Sequence, residues 1–158
     1  MIKQVQLSDL EKCAAVIRES FATVAKEFNL TKENCPRHTS FMTAENLQYH
    51  WDSGYLMHGY YLNGDIIGYV ALSKKDGDTY ELHNLAVLPE YRHCGYGKEL
   101  LDFCKAKVKE LGGNKLILDM INENVRLKNW YASNGFIHTG TTKFDHKPFV
   151  TGFMEMKI

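Results

Sequence analysis

Apolar and polar positions change period several times along the chain, and each change marks an element. Ile2 to Gln6 alternates and predicts a short first strand. Leu10, Ala14, Ile17, Phe21, Val24 and Phe28 then step by four and three, one face of a long amphipathic helix. Ser8-Asp9-Leu10-Glu11 has the form of a capping box at its start. Asn29 to Phe41 is polar and irregular and reads as a surface loop. A shorter helix is predicted from Thr43 to Trp51, with Leu47 and Trp51 inward and Ser53-Gly54 as its stop.

From Tyr55 the period drops to two. Tyr55 to Leu62 and Ile66 to Ser73 flank Asn63-Gly64, residues that tolerate positive φ, and so predict a hairpin. Asp76-Gly77 turns the chain into a third strand, Tyr80 to Val87, which ends at Pro89 because proline cannot donate to a ladder. Gly97 onward is helical. Leu100, Leu101, Cys104, Val108 and Leu111 share a face, Lys98, Glu99, Asp102, Lys105 and Lys109 lie off it, and Gly112-Gly113 ends it. Lys115 to Met120 is a compact apolar run suited to an interior strand. A strand–helix–strand unit of this length predicts a parallel pair. Phe136 to Lys143 and Phe149 to Ile158 are two closing strands, joined through Phe144-Asp145-His146-Lys147-Pro148.

Composition narrows the partners. A chain of 158 residues fits one domain, 1–158, with one core. Lys plus Arg and Asp plus Glu number 19 each, so no net field selects nucleic acid or an anionic membrane. Met1 to Gln6 leads into no long apolar run, so neither a signal peptide nor a spanning helix is expected. Cys13, Cys35, Cys94 and Cys104 form no C-x-x-C pair, and two fall in helix patterns, which points to reduced thiols and the cytoplasm. Cys35 and His38 are spaced to share a metal, but no second pair accompanies them, so no metal is expected.

The densest chemistry lies between strand and helix, in Arg92-His93-Cys94-Gly95-Tyr96-Gly97. Two glycines let backbone approach a ligand, and the loop aims N–H groups along the axis of the helix it opens. Orphan amides and the helix dipole both favour phosphate there. Arg92 adds a guanidinium suited to forked contact with phosphate oxygens. A dinucleotide fingerprint is excluded because Leu100 stands where its third glycine belongs, although Asp119 lies near the distance of a ribose-binding acid. A Walker loop is excluded by Arg92 in place of glycine and Glu99 in place of Ser or Thr.

R-x-x-G-x-G after a strand ending in V-x-P resembles the pyrophosphate signature of the GNAT superfamily of acyl-CoA N-acyltransferases. Asn124 to Phe136 is similar to a second signature of that family, N-x-x-A-x-x-L-Y-x-x-x-G-F, a short helix ending at a glycine. Leu127 replaces the usual small residue and Trp130 the usual aliphatic or Phe, which would narrow the pantetheine channel. The resemblance implies an α/β, single-domain GNAT-like fold: a central mixed, mostly antiparallel sheet with one parallel strand pair around the acyl-CoA site, flanked by about four helices. It also implies acetyl-CoA as co-substrate, held by Arg92, His93, Cys94, Gly95, Tyr96, Gly97 and Lys98, by main-chain groups of Leu85, Ala86 and Val87, and by Asn124 and Tyr131. Tyr131 matches the family's general acid, near the sulfur. Glu81 takes the position of the catalytic carboxylate of histone-acetylating members, and His83, two residues on, faces the same way. Glu81, His83 or ordered water is then the base. Residues 29–54 would wall the acceptor site, and one of Tyr55, Tyr60 and Tyr61 could reach it, the others packing on the sheet. The implied activity is acetyl transfer by direct attack of a primary amine of a small molecule, amino acid or peptide, by a monomer or homodimer. The alternative is an acyl-CoA-binding module without catalysis.

Overall fold

The computed structural model describes residues 1–158. In chain order it holds β1 (Ile2–Gln4), α1 (Leu10–Glu27), α2 (Ala44–Asp52), β2 (Leu56–Leu62), β3 (Asp65–Lys74), β4 (Thr79–Val87), α3 (Tyr96–Glu110), β5 (Lys115–Ile121), α4 (Val125–Ser133), β6 (Ile137–Lys143) and β7 (Val150–Lys157). The strands form one sheet in the order β1-β2-β3-β4-β5-β7-β6. Every neighbouring pair is antiparallel except β4 and β5, whose connection through α3 makes them parallel. The expected α/β fold with one parallel pair and four helices is the observed one.

Alternation along the strands sends side chains to two apolar layers. Val70, Leu72, Leu82 and Leu118 meet α3 and α4 through Leu100, Leu101, Cys104, Val108 and Tyr131. Tyr69 and Ala71 meet α1 and α2 through Cys13, Ala14, Ile17 and Leu47 on the other face. Burying each large aliphatic side chain of this kind stabilises the fold by about 2 kcal/mol.

Two expectations are corrected. The capping box at Ser8 does not form; a 3-10 turn spans Leu7–Asp9, and neither Gln6 nor Asp9 caps with its side chain. The Asp9 carboxylate instead accepts from the Tyr61 hydroxyl at 3.1 Å, across 52 residues of sequence. A capping box does open α2, where Thr43 and Asn46 bond reciprocally. Leu111 is not on the buried face of α3: it caps the helix and is 45% exposed. Asn29 to Phe41 runs over the surface as expected, pinned to the body by the buried Leu30 and Cys35 and, just after it, Met42.

The α3–β5 junction is tight. A Cβ at Gly113 would lie 2.6 Å from Cγ1 of Val108 and 2.8 Å from Cδ2 of Tyr80, closer than such atoms approach. Gly113→Ala should therefore lower stability by about 1–3 kcal/mol, seen as an earlier urea midpoint at unchanged slope. An unchanged midpoint would mean that the junction yields freely.

Candidate active site

The parallel pairing that joins β4 to β5 is short. It runs only from Thr79 to Glu81 on β4 and from Lys115 to Ile117 on β5. Just beyond, the β3–β4 ladder is interrupted by a bulge between Tyr69 and Ala71, opposite which Asn84 takes φ 55. A bulge adds twist and bends its strand. Past it β4 and β5 diverge, and a cleft of about 1580 Å³ opens between residues 82–87 of β4 and 118–121 of β5. It exceeds the roughly 300–1000 Å³ of a typical small-ligand pocket, so two reactants can share it.

One end of the cleft is the loop before α3. His93 and Gly95 both take positive φ, 61 and 90, so the chain curls and its amides converge. None of the six amides from His93 to Lys98 donates to an acceptor within the chain; the helical ladder begins with Glu99 on the carbonyl of Gly95. Free amides at a helix N-terminus form an anion site. Gly97 lies close to Trp130 and Val87, which seats the helix N-terminus against α4 and β4. The Tyr96 ring turns away to pack on Tyr60 and Tyr91, leaving only its backbone to the loop. Cys94 is exposed, its Sγ 3.4 Å from the carbonyl of Arg92.

Arg92 lines the cleft but is also tied to α1. Its guanidinium donates to the carbonyl of Ser20 at 2.6 Å and to Oγ1 of Thr23 at 3.1 Å. Burial first, and then the nearby Arg126, lower its pKa. An anion beside these two guanidinium groups would relieve their repulsion. Lys98 pairs with Asp102.

Tyr131 forms a section of the wall. It is buried, packed edge-on against Trp130 and Phe136 with ring centroids 5.1 and 5.5 Å away. Burial, with Cys104 as a lesser cause, raises its pKa well above the ordinary phenol, so it keeps its proton. Asn124 caps α4, its side-chain oxygen accepting from the amide of Leu127 at 3.2 Å. Leu127 and Trp130 both line the cleft.

The opposite end, where the strands meet, is charged. Glu81 pairs with Lys75 at 2.8 Å, and Nε2 of His83 lies 3.4 Å from the same carboxylate oxygen. Nε2 of His83 also shares a hydrogen bond with Oγ of Ser73 at 2.7 Å. The imidazole stacks on Tyr55, which stacks on His50 at a centroid distance of 4.5 Å. Burial, then His50 and Lys75, push the His83 pKa down to about 4, so the ring is neutral at pH 7. Asp119 projects from β5 and is held by no ion pair. Its side chain is open to the cleft, but the cleft walls crowd it and limit its hydration. That desolvation, then Glu81, raises its pKa.

The residues singled out in the sequence thus largely converge: Glu81, Leu85, Ala86, Val87, Arg92, His93, Gly95, Gly97, Lys98, Asn124 and Tyr131 line one space. Cys94 and Tyr96 do not line it. Asp119 was readable as a phosphate-loop ribose acid and not as a reacting group. Its signal was one acid inside the apolar run Leu116-Ile117-Leu118-Asp119-Met120-Ile121. No three His, Cys, Asp or Glu side chains converge as a metal site. No helix is long and apolar enough to cross a membrane.

The same fold occurs in known proteins. The chain is 27% identical to an uncharacterised N-acetyltransferase encoded in the pepI 3′ region of Lactobacillus delbrueckii subsp. lactis, over 96% of this chain and 89% of that one. The ribosomal-protein-S18-alanine N-acetyltransferase of Escherichia coli superposes with a TM-score of 0.80 at 18% identity, covering 100% of this chain and 93% of that one. The PaiA N-acetyltransferase of Thermoplasma acidophilum, solved in complex with coenzyme A, superposes with a TM-score of 0.71 at 25% identity, covering 100% and 98%. Residues 21–136, which include the amide loop, the splayed strands and Tyr131, match the acetyltransferase (GNAT) family as a whole. The chain belongs to the GNAT family of acetyltransferases.

Proposed function

We propose that the protein transfers the acetyl group of acetyl-CoA to a primary amine by direct attack. The observation that carries this reading is continuity: the acceptor-free amides of 93–98, the β4 edge at Leu85–Val87, Tyr131 and the charged vertex all border one cleft. The similar protein from Thermoplasma acidophilum, solved in complex with coenzyme A, supports acetyl-CoA as the ligand of the cleft, and the free amides at the helix N-terminus make the loop the fitting place for its pyrophosphate. Arg92 and Lys98 add positive charge there, and Asn124 fixes the α4 N-terminus beside it. Main-chain groups of Leu85, Ala86 and Val87 hold the pantetheine and polarise the thioester carbonyl.

The amine nitrogen attacks the carbonyl carbon, forming the C–N bond, and the C–S bond then breaks. The Tyr131 hydroxyl gives its proton to the departing thiolate. Thiolate leaves tolerably because an alkyl thiol has a pKa of about 8.5. The amine must lose a proton as well, and an ammonium near pKa 10 is roughly 4 kcal/mol from deprotonation at neutral pH. The carboxylate pair Glu81 and Asp119 stands where that proton is released.

Family likeness points to Glu81 as the base, but the Lys75 ion pair at 2.8 Å favours Asp119. A carboxylate already neutralised by an ammonium must surrender that partner to accept a proton. Asp119 is free of one and its raised pKa makes it the better acceptor. The pH dependence of kcat/KM distinguishes them. The rate should rise with pH through the base's pKa, and for Asp119 this limb lies above the ordinary carboxylate range. Asp119→Asn should remove the limb and cost about a hundredfold or more, while Glu81→Gln keeps it. The reverse pattern assigns the base to Glu81, and loss of the limb only in His83→Ala assigns it to histidine. An unchanged profile in all three leaves deprotonation to water.

A further inference from the structure

Within the acetyltransferase reading of the cleft, on which the choice of acceptor rests, two polar groups neither hold acetyl-CoA nor move a proton. Lys147, between β6 and β7, is half-buried and lines the cleft, yet it makes no ion pair. Its ammonium is held only over the rings of Phe144, at 5.1 Å, and Phe149, at 5.9 Å. Thr151, on β7, is 2% exposed and lines the same cleft, and its Oγ1 has no hydrogen-bond partner. A buried hydroxyl without a partner is costly unless something completes it.

Both groups stand beside the charged vertex. Thr151 opposes Ile121 in the β5–β7 ladder, and Ile121 is two residues from Asp119, so Thr151 and Asp119 share one face of the sheet. Lys147 lines the same cleft as Asp119, and its charge opposes the upward shift of the Asp119 carboxyl. One wall therefore offers a carboxylate for an amine, and the neighbouring segment offers an unpaired ammonium and a free hydroxyl. Phe149, Cys35 and Val24 form an apolar surface beside them.

We propose that the acceptor is a free α-amino acid with an apolar side chain. Its amine meets Asp119 and Glu81, its carboxylate is taken by Lys147 and the Thr151 hydroxyl, and its side chain lies against Phe149. A simple amine leaves Lys147 and Thr151 unanswered. A peptide N-terminus places a neutral amide where Lys147 presents a charge.

The experiment compares the twenty free amino acids with their α-amides and with the corresponding decarboxylated amines, by thiol release from acetyl-CoA. At least one apolar amino acid should be acetylated with kcat/KM about tenfold or more above its amide, the effect of one charge-assisted contact. Lys147→Ala should bring that ratio towards one by raising KM for the amino acid, and Lys147→Arg should keep most of it. Equal rates on acids and amides overturn the proposal, as does turnover of none of the twenty by a protein that binds acetyl-CoA. A preference that survives in Lys147→Ala overturns it too. Because the acid-to-amide ratio is read on the unaltered protein, a Lys147 variant that fails to fold does not rescue the idea. Absence of acetyl-CoA binding in a calorimetric control marks failure of the acetyltransferase reading itself, separately from the choice of acceptor.

Discussion

Gly95→Asp should abolish acetyl-CoA binding. The residue sits at φ 90, a left-handed conformation that a side chain strains, and no atom stands within 4 Å of where its Cβ would go. The new carboxylate would therefore enter the space in front of the loop without displacing anything else. Its charge would occupy the amides of 93–98 from within and repel the pyrophosphate. The backbone cost is on the order of 1 kcal/mol, too little to unfold the domain. Calorimetric titration with acetyl-CoA, beside a thermal melt of the same sample, is the check. A folded variant that binds like the parent protein would remove the anion-site assignment.

Tyr131→Phe should lower kcat about a hundredfold while leaving acetyl-CoA affinity nearly unchanged. The ring is fixed edge-on between Trp130 and Phe136, so phenylalanine keeps the packing. Its hydroxyl makes no bond within the chain, so removing it leaves no protein group unpaired. Burial beside Cys104 raises the phenol's pKa, which makes it a donor at every pH where the enzyme would work. Steady-state rates with one confirmed acceptor, together with a single-turnover experiment to show that chemistry limits the rate, provide the measurement. Full activity in the variant would reduce Tyr131 to a packing residue.

The unit from Tyr80 to Val108 was legible in the sequence because three independent signals coincide there. A strand pattern ends at Pro89, two glycines follow, and an apolar stripe at helical spacing begins. Local chemistry determines each of these, and tertiary contacts had nothing to override. Arg92 was legible as a cation of the loop, but its hold on the carbonyl of Ser20 lies 72 residues away and has no local trace. The absent capping box has another cause: a 3-10 turn over Leu7–Asp9 moves the start of α1 past Ser8, and Arg18 takes the Glu11 carboxylate at 2.8 Å. Segment 29–41 reads as a plain surface loop because its only buried residues, Leu30 and Cys35, stand at no regular spacing. The vertex was half legible. Glu81 and His83 stood out on β4, while Asp119 acquires its meaning only when β5 is laid parallel to β4 and their pairing stops at Ile117. Lys75, which pairs with Glu81 and so shifts attention to Asp119, reaches it from across the β3–β4 turn.

Acetyl transfer within this cleft is tested most directly by acceptor-dependent release of free coenzyme A. Purified protein is incubated with acetyl-CoA and a broad set of primary amines, amino acids and peptides. Free thiol is followed over time, and the product is identified by mass. Thiol release should require an acceptor, match an N-acetylated product mole for mole, and be lost in Gly95→Asp. Binding of acetyl-CoA with no acceptor-dependent thiol release across the set would contradict the transfer, leaving a module that binds the thioester without using it.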